Sequence, residues 1–269
     1  MKIVLITGNH PRHCYLADQL SKTNFEILWI IEVRENHVPI APKDLTLELK
    51  NLYKLHFNKR EKAENKFFTN KSGELANNKF NKIIKINRDD ISNGKLKDII
   101  KLDKPDVLIT YGCHVIPKNI LSLINLYKWN IHGGLSPWYR GNTTHFWPTY
   151  LLEPEFTGMT LHELTDEIDG GNILHQTSIT INRNDGIHEN ASRVVQEFSD
   201  SFPDLLKDAL SQSKRLKGVP PYTSGRIWTS QMWNPLTLKV IYELFEDKIN
   251  KFCIENKKIK TPKLISIFN

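Results

Sequence analysis

Short unbroken apolar runs alternate with stretches of helical spacing over the first 132 residues. The run KIVLITG (2–8) ends in a glycine and a polar loop, NHPRH, after which CYLADQLSKT carries Tyr15, Leu16 and Leu20 at helical intervals. FEILWIIEV (25–33) predicts a second buried strand. Residues 42–56, with Leu45, Leu47, Leu49 and Leu52, predict a helix, and residues 57–78 a polar, mobile excursion. Further strands are predicted at KIIKIN (82–87), DVLITYG (106–112) and LYKWNIH (126–132). Helices are predicted between them, over 92–105 and, with a proline in its first turn, over 117–124.

This alternation fits right-handed crossovers, and strands apolar throughout suit a parallel sheet covered on both faces. The predicted fold is α/β: a Rossmann-like, mostly parallel sheet flanked by helices. Ligands in such sheets bind beyond the carboxyl ends of the strands, so the loops at 8–13, 111–117 and 132–147 should line one crevice. After residue 155 the pattern changes. TGMTLHELT (157–165) and NILHQTSITI (172–181) predict two antiparallel strands, and 186–212 one long amphipathic helix. A main domain is expected over 1–212. The tail, 213–269, holds PPYTSGRIWTSQMW and a helical run from Leu236 to Phe252, and is expected to be a small lobe or dimerisation arm. No internal repeat is visible.

Composition changes the picture little. With 39% hydrophobic and 25% charged residues the chain is of globular type. Cys14, Cys113 and Cys253 lie far apart, without a CxxC pair, which points to a reduced compartment rather than to disulfides or a thiolate zinc site. The start, MKIVLITGNH, has too short an apolar region for a secretion signal, and no apolar run is long enough to span a membrane. A cytoplasmic location is expected. The net charge of +7 invites a nucleic-acid partner. The excess sits in lysine-rich 54–71 and 256–263 among interspersed acids, a solvated surface with a general attraction for anions, so no nucleic-acid partner is expected.

The chemistry concentrates in WNIHGGLSPWYRGNTTHFW (129–147) and in EIDGGNI (167–173). Asn130 and His132 stand at a strand end, and Asp169 precedes two glycines that let backbone approach a ligand. An amide donor, an imidazole and a carboxylate suit acyl transfer to an amine. The first two stabilise an oxyanion, and the carboxylate holds the imidazole and relays the amine proton. Each has a plainer reading: His132 as a satisfied structural histidine, Asp169 as a turn cap. His10, His13 and Cys14 lie close together but lack a fourth ligand, so no metal is expected. Asn9 and Arg12, before a helix N-terminus, are candidates for phosphate, with surface charge the alternative for Arg12. Tyr222 and Trp228 either stack on a nucleobase or cover the core. Tyr139 and Arg140 are expected to shape the loop, Arg140 as a structural clamp.

NIHGGLSPWYRG followed, 37 residues on from His132, by Asp169 in MTLHELTDEIDGGNILHQ resembles the folate-dependent formyltransferase family. That family includes glycinamide ribonucleotide formyltransferase, methionyl-tRNA formyltransferase and the nucleotide-sugar N-formyltransferases. The resemblance covers residues 80–182, and 1–34 in architecture; two separated motifs agree in order and spacing. It implies N10-formyltetrahydrofolate as formyl donor, with Asn130, His132 and Asp169 catalytic. It also implies a pterin bound by backbone near His114, Ile116, Thr165 and Asp166, a family histidine at His162, and no metal. GGLSP stands where the family often has SLLP, and the first loop lacks GxGxxG, so a dinucleotide cofactor is not expected. The acceptor is read from the tail. About 57 residues follow residue 212, too few and too helical for a tRNA-gripping barrel. The expected substrate is an amino deoxysugar carried on a nucleoside diphosphate, for O-antigen-type surface polysaccharide, acted on by a homodimer. Methionyl-tRNA, a small amino phosphate, and a non-catalytic nucleotide-binding module remain the alternatives.

Overall fold

The structure is a computed structural model and describes residues 1–34, 38–69, 80 and 82–268. Five strands, β1 (Lys2–Gly8), β2 (Glu26–Glu32), β3 (Lys82–Ile86), β4 (Val107–Tyr111) and β5 (Tyr127–His132), run parallel in the spatial order β3-β2-β1-β4-β5. A two-residue strand, β6 (Arg140–Gly141), lies outside this sheet. The antiparallel strands β7 (Gly158–Glu163) and β8 (Ile173–Ser178) complete the seven-stranded sheet next to β5. The Rossmann-like expectation holds.

Strand periodicity divides the core. Ile3 and Leu5, Ile27 and Trp29, Val107 and Ile109, and Trp129 and Ile131 face helix α1 (Pro11–Ser21) and the long C-terminal helix described below. Val4 and Ile6, Leu28 and Ile30, and Leu108 point to the other face. That second face is covered by α3 (Arg88–Ser92) and α4 (Lys95–Asp103), through Ile91, Leu96 and Ile100, and by α5 (Lys118–Leu121), through Ile120.

Helix α2 (Leu47–Glu64) starts later than the apolar spacing predicts, at the Thr46 cap, whose hydroxyl accepts from the Leu49 amide at 3.3 Å. It also runs further. The expected excursion from residue 57 is helical through Glu64 and continues as a wider turn, Asn65–Thr69. Phe57, Ala63, Phe67 and Phe68 are buried there, so the lysines that dominate the composition sit on an outer face. Residues 70–78 of that expectation lie outside the described residues. The helix predicted over 92–105 is α4; the short helix α3, with an Asn87–Asp90 capping box, precedes it, and Gly94, at φ 101°, divides the two.

A single helical turn, α6 (Trp147–Tyr150), precedes β7, and the long helix α7 (Ile187–Ser211) follows β8, placing Val194, Phe198, Phe202 and Leu206 on the sheet. The tail shares a core with the rest of the chain. Trp228, Leu238, Ile241, Ile249 and Cys253 pack in one cluster with Leu49 and Leu52 of α2, Trp147 of α6 and Ile187 of α7. The predicted helical run 236–252 is broken into a stretch over 237–244 and α8 (Ile249–Glu255), with Glu246 and Asp247 at positive φ between them.

Where α2 meets α7, His56 Nδ1 lies 2.8 Å from the Tyr242 hydroxyl and 3.2 Å from His188 Nε2. His13, His56 and His188 are buried, and burial pushes each pKa below the ordinary histidine range, for His56 to about 3. These rings stay neutral in the fold but take up protons in the unfolded chain as pH falls through about 6.5. The unfolded state then binds more protons, and stability falls with pH. The unfolding free energy, and the urea midpoint with it, is expected to hold above neutrality and to fall below about pH 6.5, the free energy by roughly 1–2 kcal/mol per histidine at pH 5. A midpoint unchanged between neutrality and pH 5 would remove this account.

Candidate active site

Strand alternation places Asn130 and His132 on the face of β5 opposite Trp129 and Ile131. On the neighbouring strand the Thr110 hydroxyl donates to Asn130 Oδ1 at 2.7 Å. That bond assigns the amide orientation and turns Nδ2, the donor, towards β7. The antiparallel register sets His162 directly across from Asn130. His162 Nδ1 donates to the Glu163 carbonyl at 2.8 Å, and Nε2 accepts from Asn130 Nδ2 at 3.1 Å.

Asp169 enters from the loop between β7 and β8, at a left-handed φ of 46°. A Cβ at Gly171 would run into the Glu163 carbonyl, so only glycine lets the loop turn back this tightly. Asp169 Oδ2 accepts the Gly141 amide at 2.9 Å and lies 3.3 Å from His132 Nδ1. Its Oδ1 lies 3.4 Å from Asn130 Nδ2 and 3.5 Å from His162 Nε2. Burial alone would raise the Asp169 pKa, but the His132 ring and the Gly141 amide hold it well below the usual carboxylate range. His132 Nε2 faces the Tyr139 carbonyl at 2.8 Å. With a carboxylate on one ring nitrogen and a carbonyl on the other, only the doubly protonated ring donates to both. Burial works against that charge and pushes the His132 pKa down, partly offset by Asp169. The ring is thus built to hold a proton that it gives up readily.

These groups open onto a cavity of about 1130 Å³. Asn130, His132, Asp169, His114, Arg12 and Trp228 all line it. Asn9, Ile116, Thr165, Asp166 and Tyr222 do not. Asn9 clasps the Arg34 backbone instead, donating to its carbonyl and accepting from its amide, both at 3.2 Å. Ile116 is buried under α5. Thr165 and Asp166 are exposed, Asp166 pairing with Lys118 at 2.7 Å. Tyr222 is 56% exposed and packs against Trp138. Arg12 is paired with Glu64 of α2, and His114 is gripped through both ring and amide by the buried Glu32 at the end of β2. The His13 ring fills the gap between the ends of β1 and β4: a Cβ at Gly8 or Gly112 would strike it. Among the described residues no three His, Cys, Asp or Glu side chains are grouped to hold a metal.

Several lining groups were not singled out from sequence. Tyr53, His56, Phe57 and Arg60 of α2 form one cavity wall, and Trp233 of the tail lies beside them. Their i, i+3, i+4, i+7 spacing was a visible stripe, but its partners lie too far along the chain to be paired by eye.

Residues 2–206 match the formyl transferase family. The chain belongs to that family. Among the relatives, it is 33% identical over 114 residues to the methionyl-tRNA formyltransferase of Thermosynechococcus vestitus, a match covering 42% of this chain and 33% of that protein. The chain thus matches about a third of the length of that relative. Among solved structures it resembles a 4-N formyltransferase from Francisella tularensis, with TM-score 0.52 and 18% identity over 86% of this chain and 76% of that one. It also resembles an N-formyltransferase from Helicobacter canadensis, with TM-score 0.52 and 18% identity over 87% and 73% of the two chains.

Arg140, only 5% exposed, is the clamp that fixes the loop bearing Asp169. Its Nε and Nη2 donate to the Ile168 carbonyl at 2.9 and 2.6 Å, and Nη1 donates to the Ser224 carbonyl at 2.6 Å. Arg140→Met keeps apolar bulk but leaves these carbonyls without their donor. It is expected to lower unfolding free energy by about 2–4 kcal/mol. Urea denaturation with an unchanged midpoint would show that the clamp contributes nothing.

Proposed function

We propose that this protein is a folate-dependent N-formyltransferase that formylates the amine of a nucleotide-linked amino deoxysugar. The observation that carries this reading is the cavity. It runs from Asn130, His132 and Asp169 past Arg12 and Arg60 to an aromatic wall of Tyr53, Phe57 and Trp233. Its volume of about 1130 Å³ suits two small ligands meeting at the carboxylate. An aromatic wall suits a nucleobase, and guanidinium groups suit phosphates. The likeness to the Helicobacter canadensis N-formyltransferase, solved in complex with folinic acid and dTDP-3-aminofucose, supports the same pairing of ligands.

N10-formyltetrahydrofolate supplies the formyl carbon when bound. Attack by the neutral amine moves the carbonyl electron pair onto oxygen; collapse breaks the bond to N10, which takes a proton as the amine loses one. Asn130 Nδ2, which donates to His162 and Asp169 in this structure, would exchange one of those partners for the oxygen on which charge develops. His132 donates to the Tyr139 carbonyl in this structure, and exchanging that partner for the oxyanion is its catalytic step. Asp169, held ionised, steadies the imidazolium and takes the amine proton through water. The chain at His114 and Val115 and at Ile168, which lines the cavity beside the candidates Ile116, Thr165 and Asp166, would hold the pterin. Product destined for O-antigen-type polysaccharide, a cytoplasmic enzyme and a homodimer belong to the same reading.

The test is formyl transfer with N10-formyltetrahydrofolate and a panel of dTDP-, UDP- and GDP-linked 3-amino and 4-amino deoxysugars. Tetrahydrofolate release with formylation of one sugar is the expected result. The sequence relatives favour a second reading, methionyl-tRNA, and initiator methionyl-tRNA therefore completes the panel. Turnover of tRNA alone would replace the sugar assignment; turnover of nothing would overturn the enzyme reading. Asp169→Asn is expected to fold and to lose about 10²–10⁴ in kcat. Turnover near that of the unaltered protein would remove the role given to the carboxylate.

A further inference from the structure

Two of the groups that fix the catalytic pair are main-chain atoms of one loop: the Gly141 amide on Asp169 and the Tyr139 carbonyl on His132. The loop is itself paired to the tail. Strand β6 runs parallel to β9 (Ile227–Trp228), with the Arg140 amide donating to the Arg226 carbonyl at 3.2 Å and the Asn142 amide to the Trp228 carbonyl at 2.7 Å. The Arg226 amide donates back to the Pro137 carbonyl at 3.1 Å. Gly141 sits at φ 95°, and a Cβ there would run into the Trp228 carbonyl oxygen. The two backbones are in contact at the residue whose amide binds Asp169.

The Trp228 ring holds this pairing in register. It stacks on Trp147 at 4.5 Å and 21° and on Tyr139 at 5.8 Å and 12°. Its Nε1 donates to the Trp138 carbonyl at 3.1 Å, and the Arg226 guanidinium lies 3.8 Å from its ring centroid. Trp228 is 4% exposed, so its contacts are set by the fold and not by solvent. Arg140 adds a second tie, joining Ser224 of the tail to Ile168, the residue before Asp169.

Resting on the reading of Asn130, His132 and Asp169 as the catalytic groups, we propose that Trp228 is a positioning residue. It anchors the tail segment 224–228 as a strap that holds the Gly141 amide and the Tyr139 carbonyl against the Asp169–His132 pair. It acts through the backbone of 139–141 and need not touch either substrate. The sequence offered two roles for Trp228, base stacking and core cover; the strap gives a buried aromatic a third.

The test uses the full chain with Trp228→Leu, which fills the slot but loses the stack and the indole donor. Trp228→Phe keeps a ring and loses only the donor. The first readout needs no acceptor: titration of the His132 ring nitrogens by NMR. The charged and titratable groups facing that ring are Asp169, His162, Arg140 and His145. None of them is altered by either variant. The His132 titration is expected to move in Trp228→Leu, and to move less in Trp228→Phe. With any acceptor that turns over, kcat is expected to fall about 10- to 100-fold in Trp228→Leu, a loss typical of small displacements at reacting groups. The KM values for donor and acceptor should stay within about twofold, since uniform binding is untouched. A raised acceptor KM with an unmoved His132 titration would overturn the proposal and make Trp228 a substrate contact. Should Trp228→Leu fail to fold, Trp228→Phe decides alone: an unmoved titration with unmoved kcat overturns the proposal. Failure of the acceptor panel with the unaltered protein would count against the assigned reaction, while the NMR comparison would still judge the strap.

Discussion

One buried carboxylate organises this active site. Asp169 meets an imidazole, a backbone amide and the Asn130–His162 pair within 3.5 Å, and each of those partners comes from a different part of the chain. Asn130 and His162 are set by strand pairing, His132 by the end of β5, and Gly141 by the loop that follows it. A carboxylate shielded from water needs these donors to remain charged, because desolvation alone would protonate it. Removing any donor changes the acidity of the group as well as its position. Fold and chemistry are therefore linked through the solvation of a single anion.

The parallel sheet contributes less directly than its resemblance to nucleotide-binding folds suggests. At the crevice between β1 and β4, where such sheets commonly seat a ligand, the His13 ring occupies the space. The cavity lies beside that ring, running from His10, Arg12 and His13 after β1 and Arg34 after β2, across the ends of β4 and β5, to α2 and the tail. The Asn9–Arg34 clasp and the Glu32–His114 pair bind the ends of β1, β2 and β4 together beside it. Polar side chains at these strand ends thus act as ties between loops as well as cavity lining, and helices remote in sequence add a further wall.

The strands and the clustering of Asn130, His132 and Asp169 were legible because their signals are local. Period-two apolar runs mark β1, β2, β4 and β5, and two short motifs carry Asn130, His132 and Asp169. The reading failed where burial runs against composition. The lysine-rich continuation of α2 hides Phe67 and Phe68 in the core, and its inner stripe lines the cavity. Asn9 looked like a phosphate ligand because a helix start follows it; only the three-dimensional path shows its amide committed to Arg34. Arg140 as a clamp was read correctly, since a buried guanidinium in a turn has few other uses. The pairing of β6 with β9 had no sequence signal at all: two residues are too short for any periodicity to register.

That pairing also orders events in time. Trp138 and Trp228 stand 90 positions apart along the chain. During synthesis the sheet, α7 and the side chains of Asn130, His132 and Asp169 have all emerged before the tail strand does. Until residue 228 is available, β6 has no strand to pair with, and Tyr139 and Trp147 lack the ring that stacks on both. Closing so long a loop is among the slower steps of folding. If the strap acts as proposed, the centre is completed by one non-local contact between segments made far apart in time.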